Sequence, residues 1–185
     1  PNIYLKAEHK QVMKSFKARG ASNAMLQLTE TQKKVGVISR SSGNFAQGLS
    51  YIGSKLGVKV TMVMPEHVPI VKKDSVQSLG ATIILKGSQH AEAQAEVDRL
   101  AEVHGFTPMH PYNDLNVIAG QGTAMLEICE DLDQVDIFFC PISGGGLMSG
   151  CAVALKALHP NATIIGVEPK GANDYALSVS YTHLT

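Results

Sequence analysis

Asp136-Ile137-Phe138-Phe139-Cys140-Pro141-Ile142-Ser143-Gly144-Gly145-Gly146-Leu147 holds one complete repeat of the chain's architecture. An apolar run of strand length, Asp136–Pro141, enters a serine–glycine turn. A helical pattern then runs from Leu147 to Leu158 and stops before Pro160. The same unit recurs upstream. Val35–Ser39 reads as a strand that turns through Ser41–Gly48 into a helix over Ala46–Leu56, stopped by Gly57. Lys59–Met64 is a strand closed by Pro65, followed by a helix over Pro69–Leu79 stopped by Gly80. Ala81–Leu85 precedes an amphipathic helix over Ala91–His104, stopped by Gly105. Phe106–Met109, a helix over Val117–Asp131 and a strand over Thr163–Val167 complete the alternation. Ile3–Lys6 reads as a further short strand and Ala18–Leu28 as a helix. Strands alternating with helices imply an α/β fold with parallel sheets covered on both faces. Ligands of such sheets bind at the C-terminal strand edges, where both glycine-containing turns fall.

Composition narrows the function classes. Of 185 residues, 44% are apolar and 17% charged, and 16 basic residues balance 16 acidic ones, so no polyanion or membrane-surface partner is indicated. The longest apolar stretches are strand-sized, which argues against a transmembrane helix. The three cysteines, Cys129, Cys140 and Cys151, form no CxxC pair and read as buried, reduced thiols of a cytoplasmic protein. The seven histidines show no metal-ligand spacing.

Three clusters carry chemistry. In Lys14-Ser15-Phe16-Lys17-Ala18-Arg19-Gly20-Ala21, a lysine beside an apolar Phe at a helix start can lose solvent, which favours the neutral amine that attacks an aldehyde. Taken alone, the three cations also read as a solvated helix face. In Ser143-Gly144-Gly145-Gly146-Leu147, glycine N–H groups and a helix N-terminus converge on a phosphate-sized anion. A Walker lysine and the GxGxxG spacing are both absent, and no acidic ribose ligand follows, so ATP and NAD are disfavoured. In Ser41-Ser42-Gly43-Asn44-Phe45-Ala46-Gln47-Gly48, a hydroxyl and an amide flank another helix start, suited to a carboxylate or ring oxygen; plain N-capping is the simpler use.

In this order the clusters resemble the fold-type II pyridoxal-phosphate (PLP) family, in its serine/threonine dehydratase and serine racemase branch. The matching residues are Ser15-Phe16-Lys17-x-Arg19-Gly20-Ala21, Ser42-Gly43-Asn44 and Gly144-Gly145-Gly146-Leu147. Met64-Pro65, Gly80-Ala81, His110-Pro111-Tyr112, Gly120-Gln121-Gly122-Thr123 and Gly166-Val167-Glu168-Pro169 support them. The resemblance implies two parallel-sheet α/β domains of the tryptophan synthase β-like kind, with residues 1–35 and 116–178 in the large, cofactor-holding domain and 36–115 in the small one. It implies that Lys17 holds PLP covalently and then acts as base on the substrate Cα. Phe16 packs on the cofactor, Asn44 meets its ring oxygen, and Ser143, Gly144, Gly145, Gly146 and Leu147 bind its phosphate. Ser41, Ser42, Gly43 and Asn44 receive the substrate carboxylate, and Ser42 matches the opposite-face serine of racemases. The implied activity converts L-threonine or L-serine to a 2-oxo acid and ammonia. Serine racemase, hydroxyaspartate ammonia-lyase and an inactive PLP-binding module are the alternatives. The implied partner is a small amino acid and the implied assembly a homo-oligomer; composition and spacing point to no nucleic-acid, membrane or metal-ligand site, and dependence on a metal is left open.

Two positions depart from the family pattern. Phe45 stands where His is usual, which touches substrate choice more than cofactor binding, and Ser143 replaces a frequent glycine. The resemblance further implies truncation at both ends, with the pyridine-nitrogen partner beyond Thr185. It also sets apart 179–185 as a tail foreign to the family, reading like translated sequencing adapter. The isolated chain is accordingly expected to expose apolar sheet surface, to be poorly stable and to have little activity.

Overall fold

The computed structural model describes residues 2–182, so part of the expected foreign tail, 183–185, lies outside the described residues. Six strands and eight α-helices are present among them: α1 (Lys17–Leu26), α2 (Glu30–Val35), β1 (Val37–Arg40), α3 (Asn44–Leu56), β2 (Val60–Met64), α4 (Ile70–Gln77), β3 (Thr82–Leu85), α5 (His90–His104), β4 (Thr107–Pro108), α6 (Leu115–Asp131), β5 (Ile137–Pro141), α7 (Gly146–Leu158), β6 (Thr163–Val167) and α8 (Asp174–Thr182).

The strands form two parallel sheets, one of four strands in the order β3-β2-β1-β4 and one of two, β5-β6. The central strands β1 and β2 are apolar on both faces because both faces are covered. Val37, Met62 and Met64 pack with Met25, Phe45 and Leu49 from α1 and α3. Ile38 and Val63, one residue out of phase, pack with Val97 and Leu100 of α5. A third cluster, around Met125, Cys151, Leu155 and Ala162, joins α6 and α7 to the two-stranded sheet.

The expected parallel α/β architecture is present, with boundaries moved by a residue or two. Gly57 ends α3 in the left-handed region (φ 68°), as a glycine stop requires. One expected strand is not formed. Ile3–Lys6 pairs with nothing among the described residues, and Ile3, Tyr4 and Leu5 are exposed. A β-rich tetrapeptide becomes a strand only where a neighbour offers a ladder of backbone groups, and neither sheet does so here.

Candidate active site

Lys17 is the first residue of α1, with Phe16 as N-cap. Its Nζ donates to the Pro111 carbonyl at 2.7 Å. The Phe16 and Phe45 ring centroids lie 5.2 and 5.8 Å from the same nitrogen. The aromatic faces favour a cation. Loss of water outweighs them, and burial holds the Lys17 amine below its ordinary value of 10.5. Lys17 is therefore half-buried and held by a neutral carbonyl, unlike its neighbour Arg19, which is held by carboxylates. The Arg19 guanidinium is 9% exposed and is gripped on both sides by Glu8 (Nε–Oε2 and Nη2–Oε1, both 2.9 Å) and Glu127 (2.6 and 2.7 Å). Those hydrogen bonds, Glu127 first, raise the Arg19 value, and Arg19 followed by Lys6 lowers Glu127 to about 2. Two of the three cations of the lysine cluster are thus drawn partly out of water, Arg19 further than Lys17, by partners elsewhere in the chain.

The second cluster lies where β1 ends. Gly43 is the N-cap of α3 without a side-chain cap bond, so neither Ser42 nor Asn44 is spent on capping. The Ser41 hydroxyl accepts the Gly43 N–H at 3.3 Å and shapes the turn. Phe45, the residue after Asn44, is the one whose ring reaches Lys17, which brings the asparagine loop to the lysine. Ser42 also borders an open cleft of about 550 Å³ with Pro65, His67 and Lys72.

The third cluster begins where β5 ends. Gly145 is the N-cap of α7 at φ 82°, a conformation a side chain would strain. The first helical bond of α7 runs from the Ser149 N–H to the Gly145 carbonyl at 2.9 Å. The N–H groups of Gly146, Leu147 and Met148 precede it and have no helical acceptor. An added methyl on Gly144 would meet the Tyr112 ring, and one on Gly146 would lie 3.0 Å from Tyr112 Cα. The loop is therefore a backbone-only surface lying against Tyr112.

The link between lysine and glycine loop is His110-Pro111-Tyr112, which the sequence marks as a turn and a supporting match but not as part of the site. Pro111 offers its carbonyl to Lys17 while Tyr112 lies on Gly144 and Gly146. The segment is held from both ends. The Met109 N–H donates to the Ile38 carbonyl at 2.8 Å, and Asp114 caps α6 through the Asn116 and Val117 N–H groups. Between them His110 Nδ1 accepts the Asn113 N–H at 2.9 Å and the Tyr112 N–H at 3.3 Å. A ring nitrogen that accepts two N–H groups carries no proton. In agreement, burial, with the Arg40 charge second, lowers His110 from 6.5. The turn over His110–Asp114 is legible from Pro111 and Asn113 between a strand and a helix; what the sequence does not show is that this turn joins Lys17 to the glycine loop.

Among the described residues no group of three or more His, Cys, Asp or Glu can hold a metal, and no helix is long and apolar enough to cross a membrane. Cys140 and Cys151 are buried, as read from sequence, whereas Cys129 is only half-buried.

Comparison with known proteins identifies what this arrangement is similar to. A family profile described as "Pyridoxal-phosphate dependent enzyme" matches residues 1–184. The catabolic L-threonine dehydratase of Staphylococcus aureus strain N315 is 44% identical over 184 residues, which is 100% of this chain and 53% of that protein. The chain therefore spans about half the length of the curated relatives it matches. Among solved structures, the processed form of threonine deaminase isoform 2 from Solanum lycopersicum superposes with a TM-score of 0.90 at 41% identity, covering 95% of this chain and 48% of that one. Serine racemase from Dictyostelium discoideum does so with a TM-score of 0.91 at 39% identity, covering 96% and 58%.

Proposed function

This chain belongs to the pyridoxal-phosphate-dependent enzyme family, and on that footing we propose that it carries the lysine and phosphate cradle of an ammonia-lyase acting on L-threonine or L-serine. The observation that carries this reading is the partly buried Lys17 amine, tied through Pro111 and Tyr112 to a glycine turn at a helix N-terminus. A compact aldehyde with an anionic tail fits both ends of that arrangement.

When bound, PLP supplies the electron sink that makes an amino acid's Cα proton removable. The chain's own residues do the rest. Lys17 Nζ would hold the cofactor by its aldehyde and would be placed to accept the substrate's Cα proton. Its depressed value keeps a neutral, basic nitrogen available nearer neutral pH. The first-turn N–H groups of α7, with Ser143 and Gly144 to Leu147, bind the phosphate, aided by the helix dipole. Phe16 would cover the cofactor and Asn44 would donate to its ring oxygen. Ser41, Ser42, Gly43 and Asn44 take the substrate carboxylate at the start of α3. Loss of the β-hydroxyl as water, followed by hydrolysis of the resulting enamine, gives the 2-oxo acid and ammonia.

We assign 1–35 and 116–178 to a large, cofactor-holding unit and 36–115 to a small one. The confinement of β1–β4 to 37–108 and of β5–β6 to 137–167 supports that division. Action in the cytoplasm as a homo-oligomer completes the proposal. Racemisation of serine is the second reading, favoured by Ser42 being free of capping and by the likeness to a serine racemase.

The test is a visible spectrum and a 2-oxo acid assay on L-threonine and L-serine, with chiral analysis of residual serine. Lys17→Ala is expected to remove both the cofactor's absorbance and 2-oxo acid formation. Retention of both would end the reading, and D-serine formed faster than pyruvate would favour the second.

A further inference from the structure

Gly120-Gln121-Gly122-Thr123 lies in the middle of α6, between the helix that begins at Lys17 and the helix that begins at the glycine loop. Successive helical residues turn by about 100°, so positions 120 and 122 face nearly opposite neighbours. Toward α1, a methyl on Gly120 would lie 2.7 Å from the Arg19 carbonyl oxygen and from Gly20 Cα. Toward α7, a methyl on Gly122 would lie 2.8 Å from the Gly150 carbonyl oxygen, and one on Gly150 2.7 Å from the Gly122 nitrogen. Two backbone-to-backbone crossings thus flank one residue, Gln121.

Gln121 is 1% exposed, and its Oε1 accepts the Gly20 N–H at 3.1 Å. The Phe16 carbonyl, at the start of α1, takes the Arg19 N–H at 3.0 Å, and the next N–H, that of Gly20, goes to Gln121. The side chain therefore closes the first turn of the lysine helix from another helix. Its orientation follows from that contact, because the reversed amide would point a donor at a donor. The cost is visible at Nε2, which is buried without a hydrogen-bond partner. An apolar side chain of similar length would avoid that cost, so it is the oxygen that the position uses. Thr123 adds a second tie: its hydroxyl accepts from Arg19 Nη1 at 3.1 Å and donates to the Gly120 carbonyl at 2.7 Å.

We infer that this tetrapeptide is a spacer whose residues position Lys17 relative to the phosphate cradle, through close crossings at Gly20–Gly120 and Gly122–Gly150. The inference rests on the lysine-and-phosphate reading above and adds to it the element that fixes the distance between the two. Both crossings lie within about one helical turn of the ligand-bearing ends, so a displacement there is passed on with little loss. A cofactor held at both ends feels such a displacement; a ligand held at one end does not.

The experiment compares affinities of the full chain for pyridoxal 5′-phosphate and for phosphate-free pyridoxal, read from visible absorbance, with inorganic phosphate as competitor. Wild type is expected to prefer the phosphorylated aldehyde strongly. Gly122→Ala, which pushes α7 from α6, should lower that preference at least about 10-fold while leaving pyridoxal affinity unchanged, since misplacement by about 1 Å has effects of this size. Leu155→Ala, a cavity in the same helix pair away from either crossing, should keep the preference. A folded Gly122→Ala with wild-type preference overturns the inference, as does an equal loss in Leu155→Ala. If Gly122→Ala does not fold, Gln121→Met decides. It should lower the preference for the phosphorylated aldehyde about 5-fold or more and leave pyridoxal and inorganic phosphate affinities unchanged; a wild-type preference would overturn the spacer. If wild type forms no chromophore with either aldehyde, the cofactor reading has failed and the spacer falls with it.

Discussion

The two sheets carry equivalent turns on unequal foundations. β2 is buried along its whole length and β1 nearly so. In the two-stranded sheet only one face of β5 is covered: Cys140 is 1% exposed, whereas Ile137 and Phe139 are 53% and 62% exposed. Yet Ser41–Asn44 after β1 and Ser143–Gly146 after β5 both end in a helix start aimed at the site. The asparagine loop inherits its position from a sheet packed on both sides. The glycine loop rests on a ribbon of two strands, an arrangement marginal by itself, so its position depends on the helices behind it. The close α6–α7 contact at Gly122 and Gly150 then becomes intelligible as the stiffening that β5 and β6 do not provide.

Side-chain removal should cost far more in the four-stranded sheet than on the open face of the ribbon. Met62→Ala in β2 leaves a cavity between layers and should cost about 2–5 kcal/mol in urea unfolding. Phe139→Ser in β5 removes an exposed ring and should change stability by less than about 1 kcal/mol while reducing self-association. Equal costs for the two would show that the β5 face is covered in solution and would break the comparison.

Acid titration probes the tie between the lysine helix and α6. Glu127 has a folded-state value near 2, below its ordinary 4.5, so the unfolded chain binds more protons in that interval. Its contribution is present above about pH 4.5 and is lost as pH falls toward 2. Glu127 is 44% exposed and partly screened, while Arg19 is 9% exposed. Arg19→Met should therefore lower stability at pH 7 by about 1–2 kcal/mol, between the surface and buried limits. The same variant should flatten the stability decline between pH 4.5 and 3. An undiminished acid slope would assign the effect to other carboxylates.

The same contrast explains what was readable in the sequence. The parallel α/β order was legible because each buried strand is a short apolar run bounded by Gly or Pro, and each turn keeps its glycine signature. The three local clusters of the candidate site, at Lys17, Asn44 and the glycine loop, were legible as residue types. Their connection was not, because it is a backbone carbonyl and a ring from residues 94 and more positions away from Lys17. Arg19 looked like a solvated cation because its acceptors, Glu8 and Glu127, lie 11 and 108 positions off. The six-residue α2 has no apolar period, although its Thr29–Gln32 capping box is a sequence signal that was there to be read. α8 has its first N–H groups satisfied by Glu168, from outside the helix, which no local pattern announces.

The covered and open faces of β5 differ within a single strand. β5 alternates, so Cys140 points to the covered side between the exposed Phe139 and Pro141. Burial raises the Cys140 thiol to about 11 and the Cys151 thiol to about 12. Only the thiolate reacts, so at pH 8 both are nearly inert even to a reagent that reaches them. Cys129 is raised as well but is only half-buried. Thiol alkylation followed by mass spectrometry should therefore modify Cys129 first, and Cys140 and Cys151 only at the rate at which the α6–α7 cluster opens. If Cys140 were alkylated as fast as Cys129 in the folded chain, the covered face of β5 would not be sealed. The glycine loop would then stand on a ribbon open on both sides, and the α6–α7 crossing could not be what holds it.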